Sequence, residues 1–228
     1  MKIEILEEVG STNEYIKRYL LSGEDRIVVA KRQTGGMGTK GRAFLSSEGG
    51  VYLTALNFYR GFFARDAFLI MAHAATAVCK TAESFGLSPE IKWPNDVYLS
   101  GKKLAGILVE NLLEGDRLKA SIVGIGLNVS NDLSAINGIA ISLSEATGRK
   151  IDTDEAREIL IQNLKTADTF DDYLGRMRFL GREVQVVEGE NIYRARAIQV
   201  CKDGRLKVER DGKEVLLSAA EISLKLNG

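Results

Sequence analysis

Two periodicities alternate along the chain, and the switches between them mark its elements. KIEIL (2–6) alternates apolar and polar positions and predicts a strand. Ser11-Thr12-Asn13-Glu14 reads as a helix start, with Ser11 as the cap and Glu14 answering it three positions on; Ile16, Tyr19 and Leu20 give that helix an apolar side. RIVVAKRQ (26–33) and GGVYLTALNF (49–58) are strands on either side of a glycine-rich loop. Residues 66–85 form a long apolar helix ended by Gly86. Residues 91–130 read as antiparallel strands joined by turns at Ser100-Gly101 and Glu114-Gly115-Asp116. Residues 153–174 read as one amphipathic helix, with Ala156, Leu160, Leu164, Ala167 and Phe170 at helical spacing.

From Gly181 the texture changes. REVQVVEG, YRARAIQV, GRLKVER and KEVLLS are short strands separated by Gly or Asp-Gly turns, and no long helix follows. This predicts a small β-barrel-like domain over 181–228 after a main domain over 1–180. The main domain mixes helices with antiparallel strands, so the fold class is α+β.

Composition narrows the setting. The 228 residues carry 31 basic and 31 acidic side chains, so total charge supplies no attraction to nucleic acid or an anionic membrane. Cys79 and Cys201 lie far apart, outside any metal or redox spacing, and read as free thiols of a reducing compartment. No apolar run approaches the roughly 20 residues of a membrane span. The opening MKIEILEEVGSTN is acidic early and lacks the apolar core of a signal peptide. A cytoplasmic protein is predicted.

Candidate chemistry begins at Gly35-Gly36-Met37-Gly38-Thr39-Lys40-Gly41-Arg42. A formal G-x-G-x-x-G runs from Gly36 to Gly41, but no helix follows to face a pyrophosphate, so the dinucleotide fingerprint fails. Gly-Lys-Ser/Thr is absent, so the Walker pattern fails too. What remains is a glycine loop with Lys40 and Arg42, suited to a phosphate or carboxylate; a mobile surface loop with solvated charges fits this segment equally well. In a hairpin turning at Ser100-Gly101, Leu99 faces Lys102 and Asp96 faces Ala105, so Asp96, Tyr98 and Lys103 share a face. Lys92 has the same parity unless Pro94 breaks the strand. Such a set can bind an anion and handle a proton, and a solvated face with a surface ion pair has the same spacing.

KWPND (92–96) followed by KKLAGILVE (102–110) resembles biotin protein ligase. STN (11–13), the loop after Gln33, SSEGGVYLTAL (46–56) and VGIGLNV (123–129) occur in that family's order, so the resemblance covers nearly the whole chain. It implies a class II synthetase-like catalytic domain with a mixed, mostly antiparallel sheet, and a small SH3-like β-barrel at the C-terminus. It implies a two-step reaction in which biotin's carboxylate attacks the α-phosphate of ATP, giving biotinyl-5′-AMP and pyrophosphate. The ε-amine of one lysine on a biotin carboxyl carrier protein then attacks the mixed anhydride and releases AMP. Mg²⁺ accompanies ATP. Two anions must be held in line, which calls for cations, and the acceptor amine must lose a proton.

Carried over by motif, Ser11, Thr12, Asn13 and Gln33 are expected at biotin's ureido ring, and Gly36 beside biotin. Gly106 is expected to let the backbone approach biotin closely, and Lys103 to bind its carboxyl and later the adenylate. Arg42 and Lys92 are expected on phosphate oxygens, with Gly38, Lys40 and Phe44 around the adenylate. Asp96 is expected near the adenylate and the acceptor lysine, and Asn128 at adenine. Catalysis is thereby assigned to Lys92, Asp96, Lys103 and Arg42, with no metal ligands assigned. The partner is the carrier protein, with a homodimer as a further association. The STN motif begins at residue 11, which predicts no DNA-binding domain and no repressor role.

The loop departs from the family pattern G-R-G-R-x-G-R: Met37 and Thr39 stand at two arginine positions, and neither supplies a bidentate guanidinium. The expected consequence is weaker retention of biotinyl-AMP, with Lys40 as a partial point-charge substitute. Phe44 stands where the family usually has Trp and keeps an apolar cover. Two rival functions accompany this reading: a lipoate–protein ligase, which shares the fold and the adenylate chemistry, and a non-catalytic relative.

Overall fold

A computed structural model describes residues 1–136, 138–166 and 168–218, and the backbone of 222–225; the side chain of Lys40 lies outside that description. In chain order the elements are β1 (Lys2–Val9), α1 (Thr12–Ile16), β2 (Arg26–Gln33), β3 (Val51–Phe58), α2 (Phe68–Glu83), β4 (Glu90–Lys92), β5 (Asp96–Leu99), β6 (Lys102–Glu114) and β7 (Arg117–Leu127). They continue with α3 (Leu143–Thr147), α4 (Thr153–Asn163), α5 (Phe170–Leu174), β8 (Glu183–Glu188), β9 (Asn191–Val200), β10 (Leu206–Arg210), β11 (Lys213–Leu217) and β12 (Ile222–Lys225).

β1 to β7 form one seven-stranded sheet in the order β1-β2-β3-β7-β6-β5-β4. Only β1 and β2, connected through α1, run parallel; every other pair is antiparallel. Alternation along the strands gives the sheet two unlike faces. Ile27, Val29, Leu53, Ala55, Val123, Ile125 and Leu127 are buried in the main core. α2 and α4 cover that side, α2 presenting small residues such as Ala72, Ala75, Ala82 and Cys79. Burial pushes the Cys79 thiol up to about 12, so it is an inert core group. α1 lies on the other face, over a smaller cluster of Ile16, Val28, Leu56, Ala120 and Ile122.

β8 to β12 form a second, five-stranded sheet in the order β11-β10-β9-β8-β12, entirely antiparallel. Val184, Val186, Ala195, Ala197 and Leu206 from it join the same apolar core as the first sheet. Trp93, 3% exposed, donates Nε1–H to the Gly204 carbonyl at 2.9 Å, joining the turn after β4 to the second sheet. Packing is therefore the role of Trp93.

Several expectations need correction. The helix expected over 153–174 is two helices, broken between Leu164 and Thr169. Thr169 starts the second with a capping box, its hydroxyl accepting from the Asp172 N–H while Asp172 accepts from the Thr169 N–H. Apolar spacing ran on through this cap, and Ala167 lies outside the described residues. Ser11 occupies the cap position of α1 but makes no side-chain cap hydrogen bond; Glu14 turns away to Lys17 Nζ at 2.6 Å. β1 runs on to Val9, the apolar helix spans Phe68–Glu83, and β12 is a strand the sequence reading did not place.

Candidate active site

The side of the large sheet away from α2 carries the sequence-predicted residues, and three glycines make its floor. Gly106 of β6 pairs with Gly126 of β7, and Gly124 lies two residues back along β7. Added Cβ atoms show what these glycines accommodate. At Gly106 one would lie 3.1 Å from Lys103 Nζ and 3.2 Å from the Phe44 ring. At Gly126 it would run into the Phe44 ring, and at Gly124 into the Asn13 amide. Glycine is therefore required by close approach, not by a turn.

One irregularity sets the charged end of this floor. A plain hairpin would put Asp96 opposite Ala105, with Lys103 and Gly106 on opposite faces because their spacing is odd. In the structure β6 carries an extra residue opposite Val97 and Tyr98, so Asp96 pairs with Gly106 while Tyr98 pairs with Lys103. This bulge brings Lys103 and Gly106 to one face. Asn128 holds the segment. Its N–H donates to the Leu104 carbonyl at 3.0 Å, and its Nδ2 donates to the carbonyls of Lys103 at 3.4 Å and Ile141 at 3.3 Å. Asn128 is 3% exposed, so its amide serves the bulge.

Lys103 Nζ meets Asp96 Oδ1 at 2.6 Å. Lys92, opposite Asp96 across the β4–β5 turn, places Nζ 3.4 Å from the Tyr98 hydroxyl and 4.9 Å from that ring's centroid. Burial holds the Lys92 amine below the usual lysine range, and the positive fields of Lys103 and Arg42 add to it against the pull of Asp96. Burial also raises the Tyr98 phenol. Lys92 thus feels the positive charges of Lys103 and Arg42 against the single carboxylate of Asp96, and the uncompensated charge makes an anion site. Arg42 is exposed and makes no ion pair among the described residues.

At the other end lies a row of neutral polar groups. Gln33 Oε1 accepts from the Thr12 N–H at 2.8 Å and contacts the Thr12 hydroxyl at 2.9 Å. The buried Thr54 hydroxyl sits 2.8 Å from Thr12 Oγ1 and 2.7 Å from Asn13 Oδ1. Gln33 Nε2 donates to Ser46 Oγ at 3.0 Å, and Ser46 donates to the Phe44 carbonyl at 3.0 Å. The glycine loop is pinned nearby: Phe44 N–H donates to the Gly36 carbonyl at 2.9 Å and Gly38 N–H to the Arg42 carbonyl at 2.7 Å. A Cβ on Gly36 would strike Ser46 and the Phe44 carbonyl.

Ser11, Thr12, Asn13, Gln33, Met37, Phe44 and the three glycines line one cleft of about 30 Å³, the share of a single water in the liquid. The Phe44 ring fills it, lying over Gly106 and Gly126. A wider opening of about 550 Å³, near Lys31, Glu48, Lys150 and Arg157, contains none of the predicted residues. The structure therefore brings Ser11, Thr12, Asn13, Gln33, Gly36, Phe44 and Gly106 together around the cleft, with Lys92, Asp96 and Lys103 beside it. Gly38 and Arg42 stay in the exposed loop, and Lys40 lies outside the described side chains. Sequence reasoning did not promote Gly124, Gly126 or Thr54. The alternating glycines of VGIGL and the lone polar residue inside YLTAL were the available signals.

A mixed sheet whose glycine floor runs from a neutral polar row to a cation cluster defines an α+β ligand-binding domain with an anion site. The chain belongs to the biotin/lipoate A/B protein ligase family, whose model matches residues 6–128, more than half of its length. It is 40% identical over 134 residues to the bifunctional ligase/repressor BirA of Bacillus subtilis, covering 57% of this chain and 41% of that one. It is 28% identical to BirA of Escherichia coli, covering 98% of this chain and 74% of that one. Among solved structures it resembles biotin protein ligase from Aquifex aeolicus in complex with biotin and ATP, with a TM-score of 0.77, 29% identity and 99% of both chains covered. The chain spans about two fifths of the length of the Bacillus BirA proteins it matches.

Proposed function

We propose that this protein joins biotin to ATP as biotinyl-5′-AMP, with release of pyrophosphate, and transfers the biotinyl group to one lysine of a biotin carboxyl carrier protein. The observation that carries the reading is the cation cluster of Lys92, Lys103 and Arg42 around Asp96, at the end of a glycine floor whose other end is polar and neutral. A ligand with an uncharged polar ring and a carboxylate at the end of an alkyl chain matches that polarity. In this reading the ring lies at Thr12, Asn13 and Gln33 and the chain over Gly106 and Gly126. The carboxylate then meets Lys103, with the ATP phosphates toward Lys92 and Arg42.

The chemistry follows from the charges. Biotin's carboxylate is repelled by the α-phosphate until cations neutralise both, and fixed ammonium groups do this without reorganising during the reaction. Lys92 is well suited, because its half-buried amine makes no ion pair among the described residues until a phosphate supplies one. In the second step Asp96 takes the proton of the acceptor amine once Lys103 has turned to the adenylate. Among the described residues no three metal-ligating side chains cluster. Mg²⁺ would arrive with the ATP phosphates and offset their charge.

Phe44 must leave the floor for biotin to enter, and its ring then covers the bound ligand. The described strands from Glu183 onward are read as an SH3-like barrel packed on the catalytic domain of residues 1–180. A homodimer and a cytoplasmic location complete the reading. No described helix is long and apolar enough to cross a membrane.

The test is ATP-dependent pyrophosphate release with biotin or with lipoate, each with and without a carrier domain. Release with biotin and label on the carrier lysine is expected. Activity with lipoate alone would move the chain to the other branch of its family, and silence with both would make it a binding protein.

A further inference from the structure

The neutral end of the cleft contains four oxygens in a row: Gln33 Oε1, Thr12 Oγ1, Thr54 Oγ1 and Asn13 Oδ1, spaced 2.9, 2.8 and 2.7 Å apart. Each threonine hydroxyl brings one proton, and an amide oxygen brings none. Three contacts therefore share two protons. The shortage cannot be removed by flipping either end amide. Gln33 is fixed because its Oε1 accepts the Thr12 N–H at 2.8 Å while its Nε2 donates to Ser46 Oγ at 3.0 Å. Asn13 is fixed because its Nδ2 donates to Glu110 Oε1 at 3.0 Å, and a flip would set amide oxygen against carboxylate. Lys17 holds Glu110 in place through Oε2 at 2.9 Å. Thr12, Asn13 and Thr54 are 3%, 7% and 0% exposed, so bulk water has little access to the row.

We propose that Glu110 and Thr54 are specificity-determining residues that leave this row one proton short, so that the cleft selects a ligand bringing its own N–H donors. The inference rests on reading the cleft as biotin's. A cyclic urea presents N–H groups at that end; a dithiolane, the ring of lipoate, has none. An N–H given to Asn13 Oδ1 frees the Thr54 proton for Thr12, so that Asn13 Oδ1, Thr12 Oγ1 and Gln33 Oε1 each accept a proton. A buried acceptor left without a donor is costly, which is why a site short of a donor rejects ligands that cannot supply it. Glu110 touches no ligand in this account; it acts through Asn13.

Glu110→Gln tests it. The new side chain can give Nε2–H to a flipped Asn13 Oδ1 and keep its Oε1 toward Lys17, which fills the row without any ligand. The expected result is biotin binding weakened about tenfold by calorimetry, lipoate binding not weakened, and an unliganded Tm unchanged or raised. Thr54→Ser, which keeps the hydroxyl, is expected to preserve the parent's Kd for biotin. Unchanged biotin affinity in Glu110→Gln, equal weakening of both ligands, or a Tm lower by several degrees would each overturn the donor requirement. A parent that binds lipoate and not biotin would overturn the biotin reading as well, so the two failures are distinguishable.

Discussion

In β7, Val123, Ile125 and Leu127 point toward α2 and α4, while Gly124 and Gly126 point toward the cleft. The same eleven-residue strand thus makes a sealed apolar face and a face that two side chains from elsewhere, Asn13 and Phe44, approach to the backbone. On the sealed face a residue is judged by the volume it fills. On the open face it is judged by the volume it leaves and the hydrogen bonds it directs. Stability and function are therefore separable by parity along one strand.

Lys103→Ala should break the comparison most severely on the open face. It removes the cation at 2.6 Å from Asp96 and leaves that carboxylate without an ion-pair partner among the described residues. Adenylate formation should fall by about 10²–10³-fold, the size found when one preorganised electrostatic group is deleted. Thermal unfolding should change little, because the pair is partly exposed. Single-turnover pyrophosphate release beside a melting curve checks both halves.

Next come paired substitutions on β7. Ile125→Ala should cost about 2–5 kcal/mol in denaturant unfolding, as large-to-small core changes do, with biotin affinity retained by the folded fraction. Gly126→Ala should do the reverse: its Cβ enters the Phe44 position, so biotin binding should drop at least tenfold with a smaller stability change. Equal effects of the two variants on binding would break the parity argument.

How far this division could be read in advance depended on the face. The apolar run in RIVVAKRQ placed β2 at residues 26–33, as observed, and the glycine turns located both hairpins. Burial patterns are what alternation reports, so the sealed face was legible. On the open face the motif residues were found, but not the bulge that pairs Asp96 with Gly106. A bulge is held by partners distant in sequence, here the Asn128 contacts to Leu104, Lys103 and Ile141, and leaves no local signature. The break before Thr169 did have one: Thr169 followed by Asp172 is a capping pair, set within a run of apolar residues at helical spacing.

Lys92→Met carries the contrast into pH dependence. The Lys92 amine is held below its ordinary 10.5 by burial, so the fold tolerates its charge poorly. The sign follows from proton counting. As pH rises into the alkaline range below 10.5, the folded chain loses this proton first, the unfolded chain binds more protons, and this group's contribution to stability increases. Lys92→Met should therefore raise Tm near neutral pH, flatten that alkaline rise, and weaken ATP binding. A lower Tm across the whole range would mean that the ammonium, not its stem, stabilises the fold.

The smallest expected effect lies where the open face meets the loop. Thr39 stands at the start of a short helical turn, Thr39–Gly41, closed by the Gly38-to-Arg42 hydrogen bond at 2.7 Å and the Met37–Ala43 bridge. Threonine there contributes no charge and no fork of donors. Thr39→Arg adds both, next to a loop whose Phe44 end already reaches the floor. An arginine–phosphate contact at an exposed site is worth about 1 kcal/mol, so escape of the adenylate should slow by roughly fivefold, with pyrophosphate formation nearly unchanged. Measuring release of labelled biotinyl-AMP from the preformed complex isolates that step from chemistry. An unchanged release rate would place retention in the Phe44 cover and the polar row alone, and would assign the two faces of the sheet, not the loop, the whole task of holding the intermediate.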